Sequence, residues 1–187
     1  MRISGGAARG IPLLVPPGDT VRPATDALRQ AVFSSLGALA SGARFLDLFA
    51  GSGAYGLETL SRGGVGGGFV ESNTRALGCL RRNVSAVCKC LGRGEHDLFI
   101  RAGDARTFSL GAAEAPDLVF VDPPYGLIAE AALPLFDRLA AALESKPGAL
   151  VVFEMPGETV LAPPGWDEVR RLGRGARQPT VGFFRRS

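Results

Sequence analysis

Apolar and polar positions along this chain follow a strand-and-helix rhythm that becomes regular from residue 43 onward. Arg44–Phe49 reads as an apolar strand, Ala54–Arg62 as a short helix and Gly67–Glu71 as a second strand. The stretch Thr74–Leu91 places Leu77, Leu80, Val84 and Val87 on one stripe at helical spacing. Leu98–Ala102 and Asp117–Val121 are the third and fourth strands, with a helical turn near Ala105–Phe108 between them. Leu127–Leu143 is helical by period, and Pro134 within it is expected to kink or split the helix. Ala149–Glu154, Trp166–Leu172 and Thr180–Arg185 follow as strands, the last amphipathic and expected to run antiparallel. Strands alternating with helices at this spacing predict an α/β fold, a parallel sheet covered on both faces.

The first 42 residues are different. Arg2–Ser4 and Ile11–Val15 flank Gly5, Gly6 and Gly10 and read as a hairpin. Pro16-Pro17-Gly18-Asp19 is a turn, and Arg22-Pro23 is biased to extended backbone. Thr25 or Asp26 then caps a helix with Leu28, Val32, Leu36 and Leu39 on one face, ended by Gly42. About 40 residues bury too little surface to fold alone. Residues 1–42 are therefore an extension packed on a core of residues 43–187.

Composition narrows the class. The 187 residues are 46% hydrophobic and 21% charged with a net charge of +3, which excludes intrinsic disorder. The longest apolar runs are interrupted within a few residues, so no membrane span is expected. Met1–Arg9 lacks the apolar segment of a secretory signal. Cys79, Cys88 and Cys90 form neither a disulfide framework nor a zinc-spaced pair, pointing to a reduced, cytoplasmic protein without a metal. His96, the only histidine, lies in a polar turn and offers no Ser/His or Cys/His catalysis. The charge is uneven: residues 1–31 hold four Arg against Asp19 and Asp26, and residues 166–187 hold six Arg against Asp167 and Glu168. Basic ends around an acidic centre fit a polyanion held beside a cationic cofactor.

The segment from Phe45 to Gly56 is a strand, a glycine turn and a helix start, with Gly51, Gly53 and Gly56 in G-x-G-x-x-G spacing and Glu71 20 residues past Gly51. Asp47 argues against a dinucleotide, because a carboxylate facing the turn would repel a pyrophosphate. A cationic amino-acid portion reverses that sign, and S-adenosylmethionine has one. Asp47 would attract its ammonium, Glu71 would accept both ribose hydroxyls, and Asp104 after the third strand would meet the adenine amino group. Phe49, Ala50, Gly51, Ser52 and Gly53, with Ser72 and Ala105 beside the second and third carboxylates, complete the candidate cofactor site. No G-K-[S/T] follows the turn, which excludes a P-loop.

Asp122-Pro123-Pro124-Tyr125, after the fourth strand, is the most specific motif in the chain. Two prolines fix an extended backbone and carry no N–H, leaving carbonyls as outward acceptors. A carboxylate before them and an aromatic ring after them suit an exocyclic amino group on a flat base. Accepting both of its hydrogens, at Asp122 and the Pro123 carbonyl, favours a pyramidal nitrogen with a localised lone pair. Tyr125 would stack on the base, worth roughly 1–3 kcal/mol.

With the Phe45–Gly53 motif, this resembles the class I amino-methyltransferases. Arg2-Ile3-Ser4-Gly5-Gly6, Arg9-Gly10 and Arg22-Pro23-Ala24-Thr25-Asp26 followed by Arg29 are similar to one family, the bacterial 16S ribosomal RNA guanine-N2 methyltransferases, and the likeness runs essentially end to end. It implies a Rossmann-like, seven-stranded, mostly parallel sheet with an antiparallel last strand and an N-terminal hairpin-and-helix extension. It further implies methyl transfer to a guanine amino group of the small-subunit RNA or the assembling subunit, by a monomer. Arg2, Arg9, Arg22, Thr25, Asp26 and Arg29 would then engage RNA. Adenine-N6 methylation of DNA or RNA would use the same acceptor motif, although a DNA enzyme normally carries a larger recognition domain. A non-catalytic RNA-binding protein on the same fold is the third reading.

Overall fold

The computed structural model of the chain describes residues 1–16, 26–110, 115–173, 175–176 and 178–187. Seven strands form a single sheet: β1 (Arg44–Leu48), β2 (Gly66–Glu71), β3 (Leu98–Ala102), β4 (Leu118–Val121), β5 (Leu150–Pro156), β6 (Trp166–Leu172) and β7 (Pro179–Arg186). Their spatial order is β3-β2-β1-β4-β5-β7-β6. The first five are mutually parallel, β7 runs antiparallel to β5, and β6 runs antiparallel to β7. Chain order reverses between β1 and β4, and open α/β sheets bind ligands at the strand ends of such a switch point.

The central strands β1, β2, β4 and β5 form where they do because both of their faces are buried. Phe45 and Phe120 join one apolar layer, while Leu46, Leu48, Val119 and Val121 join the other. Helices α1 (Asp26–Leu36), α2 (Ala54–Ser61) and α3 (Thr74–Cys90) contribute to the first layer and α4 (Ile128–Ala142) to the second. Gly56 lets α2 lie directly on the sheet: a Cβ there would stand 2.4 Å from the rings of Phe45 and Phe69.

Several boundaries differ from the sequence expectation. Thr25, one of the two expected caps, lies outside the described residues. The first helix stops at Leu36 and passes into a 3-10 turn over Gly37–Ala40 instead of running to Gly42. Leu39 therefore faces solvent, and the helix buries Arg29 alongside Val32, Phe33 and Leu36. Pro134 does not split α4. Both it and Glu130, whose carbonyl loses its usual donor, are exposed, so water can take that hydrogen bond. Phe49 leaves β1 because its φ is +58°, a left-handed conformation costly for an aromatic residue.

The N-terminal segment is held by polar ties to α2. Residues Ile3 and Ile11 bond through their backbones, and an antiparallel bridge joins Arg2 to Pro12. The backbone N–H groups of Ala7 and Ala8 donate to the carbonyl and hydroxyl of Ser61, at 2.7 and 2.9 Å. Ser4 donates its N–H and hydroxyl to the two Glu58 oxygens, at 2.8 and 2.7 Å. Arg29 and Arg62 donate to the same carboxylate, and Arg29 also reaches the Arg2 carbonyl and Asp26. Glu58 is thus the buried hub joining segment, α1 and α2. Removing it leaves the Arg29 guanidinium buried without its principal counter-charge. Glu58→Ala is expected to lower stability by about 3–5 kcal/mol and to make the first 16 residues protease-sensitive. Urea denaturation and limited proteolysis measure both effects, and an unchanged midpoint would refute the role given to Glu58.

Candidate active site

The C-terminal ends of β1 to β5 open onto a cavity of about 480 Å³, within the range of small-molecule sites. Asp47, Glu71, Asp104, Asp122 and Glu154 line it, one from each strand or the loop after it. Strand register determines this gathering. Leu48 pairs with Val121, and Val121 with Phe153, so Asp122 and Glu154 are the next residues on neighbouring strands. Asp47 lies in line with Phe120 and emerges on the same face.

The glycine turn is organised by two of these carboxylates. Gly56 donates its N–H to Asp47 at 2.9 Å, and Gly51 donates to Glu71 at 2.7 Å. The other Glu71 oxygen accepts from the Asn73 N–H at 2.7 Å, and the Asn73 side chain caps α3. Gly53, at φ +82°, turns the chain into α2. From α3, Asn83 donates to the carbonyls of Ser52 and Leu14, tying the turn to the N-terminal segment.

Electrostatically the cavity is strained toward negative charge. Burial, opposed by the Gly56 N–H and reinforced by the Glu71 charge, pushes Asp47 up to about 8. Burial and then the charges of Glu154 and Asp47 push Asp122 well above the carboxylate range. Burial raises Glu154 to about 7 even though the Tyr55 hydroxyl donates to it at 3.1 Å. Among the described residues no Arg or Lys pairs with Asp47, Glu71, Asp122 or Glu154. Asp104 behaves oppositely: hydrogen bonds from Arg106, at 2.7 Å from Nη2, lower it.

Most of the residues singled out in the sequence meet here. Phe49, Ala50, Gly51, Ser52, Ser72, Pro123, Pro124 and Tyr125 line the cavity with the carboxylates. Gly53 and Ala105 do not, since Gly53 sits against Leu80 and Ala105 belongs to the apolar layer under α4. The arginines divide. Arg2 and Arg9 are exposed, whereas Arg22 lies outside the described residues together with Thr25. The expectation for Arg29 needs correction: it is 0% exposed and bonded to Glu58, the Arg2 carbonyl and Asp26, so it cannot reach a phosphate. Asp26 is exposed and paired with it. Met1, Tyr55, Asn73, Arg106, Leu127 and Glu154 line the cavity without having been singled out. A carboxylate closing an apolar strand, as Glu154 does, was the one available signal.

Solved proteins of this architecture include methyltransferases. An RNA methyltransferase from Salinibacter ruber, solved with S-adenosyl-L-homocysteine, superimposes with a TM-score of 0.61 over 87% of this chain and 92% of its own, at 17% identity. A hypothetical protein of Thermus thermophilus does so with a TM-score of 0.74 at 32% identity, over 98% of both chains. The fold is that of the class I methyltransferases. Residues 1–181 match the family model described as Conserved hypothetical protein 95, and the chain belongs to that family. Ribosomal RNA small subunit methyltransferase D of Escherichia coli is 35% identical over 139 residues, 70% of this chain and 64% of that relative.

The cavity's carboxylates dictate a pH response. Between the ordinary carboxylate value near 4 and the raised values of about 7 and 8, the unfolded chain has released protons that the folded chain retains. Stability of the ligand-free protein is therefore present in full at the acid end of that window and lost as pH rises through it. Thermal melts from about pH 5 to about pH 8 should show a falling midpoint; a midpoint that climbs would contradict the assignment.

Proposed function

We propose that this protein transfers a methyl group from S-adenosylmethionine to the exocyclic N2 amino group of a guanine in 16S ribosomal RNA. The observation that carries the reading is the meeting of Asp122-Pro123-Pro124-Tyr125 with the carboxylates of β1 and β2 in one cavity. The cofactor fits the residues present, because buried carboxylates lacking a cation partner among the described residues favour a positively charged ligand. When bound, it supplies an electrophilic methyl group on a sulfonium.

Asp47, Gly51 and Glu71 would hold the amino-acid and ribose portions, and Asp104 the adenine end. Tyr125 stacks on the target base once the base has left its helix, a step costing a few kcal/mol. The Asp122 carboxylate and the Pro123 carbonyl accept the two amino hydrogens, which aims the nitrogen lone pair outward. Pro124 keeps that carbonyl in place by fixing its own φ and offering no competing N–H. The nitrogen, strongly acidic once methylated, sheds a proton readily, so no base with a tuned pKa is required. Residues 1–42 act as an RNA-contacting extension to a catalytic domain of residues 43–187, with exposed Arg2 and Arg9 reaching phosphates.

Methyl-labelled S-adenosylmethionine, offered with small subunits from cells lacking the gene or with naked duplex DNA, tests this reading. Label recovered as N2-methylguanosine from the particles is expected; N6-methyladenine from the duplex would replace guanine by adenine as the target. Asp122→Ala should lower transfer about 10²- to 10³-fold with cofactor affinity nearly unchanged by calorimetry. Replacing Arg2 and Arg9 by alanine should weaken RNA binding and flatten its dependence on log salt by about 0.7–0.9 per lost contact. An unaltered slope would remove both residues from the interface.

A further inference from the structure

The sheet order divides the cavity into two halves. Asp47, Glu71 and Asp104 come from β1, β2 and the end of β3, on one side of β4, whereas Glu154 comes from β5, on the other. Glu154 thus stands beside Asp122 on the side away from the proposed cofactor residues. It is only 5% exposed, yet it lines the cavity with Asp122, Pro123 and Tyr125. Its Oε2 accepts the Tyr55 hydroxyl at 3.1 Å, and Oε1 has no hydrogen-bond partner among the described residues. Tyr55 is itself fixed, with its ring stacked on Phe120 at 5.1 Å between centroids. The remaining acceptor capacity of the carboxylate opens on the cavity, where a ligand donor can complete it.

We propose that Glu154 selects guanine by accepting the ring N1–H beside the target amino group. The inference rests on the reading that a guanine amino group is methylated. Guanine presents three hydrogens along one edge, two on N2 and one on N1. The Asp122 carboxylate and the Pro123 carbonyl account for the first two, and the third needs an acceptor next to Asp122. In adenine and cytosine the ring nitrogen beside the amino group carries a lone pair instead, which would face the lone pairs of Glu154. Rejection of the wrong base then follows from an unpaired buried acceptor, the strongest kind of polar discrimination. Tyr55 acts as a positioning residue, holding Oε2 so that Oε1 faces the base. Burial pushes the carboxyl up to about 7 while the Tyr55 hydroxyl opposes the rise, so an N1–H donor has little to overcome in drawing out the ionised form.

2-Aminopurine separates this role from a structural one, because it keeps the N2 amino group but has a lone pair at N1. Small subunits are reconstituted with 16S RNA carrying either guanine or 2-aminopurine at the methylated position, itself located by mass spectrometry. The wild-type protein is expected to methylate 2-aminopurine about 10- to 100-fold more slowly than guanine. Glu154→Gln, whose amide can donate to that lone pair, should slow guanine and close the gap between the two bases. Tyr55→Phe should slow both while keeping guanine ahead. If the glutamine variant does not melt cooperatively, Glu154→Asp serves, since it keeps the charge but withdraws the oxygen by one methylene and should narrow the ratio likewise. Equal wild-type rates on the two bases, or a wild-type ratio preserved in the Glu154 variant, would overturn the proposal while leaving guanine methylation standing. Absence of any transfer to guanine by the wild-type protein would overturn both.

Discussion

Carboxylates brought together at the buried edge of a sheet repel, and hydrogen-bonded strands give them no way to move apart. That constraint governs this protein. The pairing of β1 with β4 and of β4 with β5 sends Asp47, Asp122 and Glu154 out on one face, and Glu71 adds a further charge from β2. Such an edge is tolerated only if it keeps protons or admits positive charge. A preference for a cationic ligand is therefore a property of strand register and does not belong to any single side chain. The same register separates the proposed roles, since the carboxylates of β1 to β3 line one half of the cavity and that of β5 the other.

The parts of this arrangement differ in how readily the sequence discloses them. Strands and helices follow from apolar spacing, because stripes such as Leu77, Leu80, Val84 and Val87 have one period and sheet strands another. Glu71 and Asp122 are legible because their signals are local: a fixed distance from a glycine turn, and a four-residue motif. Tyr55 and Glu154 are 99 positions apart, and each looks ordinary in its own neighbourhood, one within a helix and one at a strand end. Their meeting is a fact of three-dimensional register alone. Two elements end earlier than their period predicts, for equally physical reasons. A 3-10 turn replaces the last stretch of the first helix, and the left-handed backbone of Phe49 shortens β1.

Arg29 illustrates a harder limit. In sequence it is one more basic residue in a basic end, next to others that do face solvent. In the fold it is enclosed, because Glu58 waits 29 residues away with room for four donors. Charge patterning reads the surface correctly only on average, and a single buried partner reverses it. Among the described residues the N-terminal end thus holds two sorts of arginine: Arg2 and Arg9 turned outward, and Arg29 holding the segment in place.

The helix that receives this extension has a second employment. α2 is eight residues long, about 12 Å from end to end. Its first turn continues directly from Gly51 and Gly53, and its last carries Glu58 and Ser61 beneath the N-terminal segment. So short a rod, packed flat on the sheet at Gly56, has no joint at which a push could be absorbed. One eight-residue rod thus joins the anchorage of the N-terminal segment to the glycine turn that lines the cavity, so the two are built on a single element.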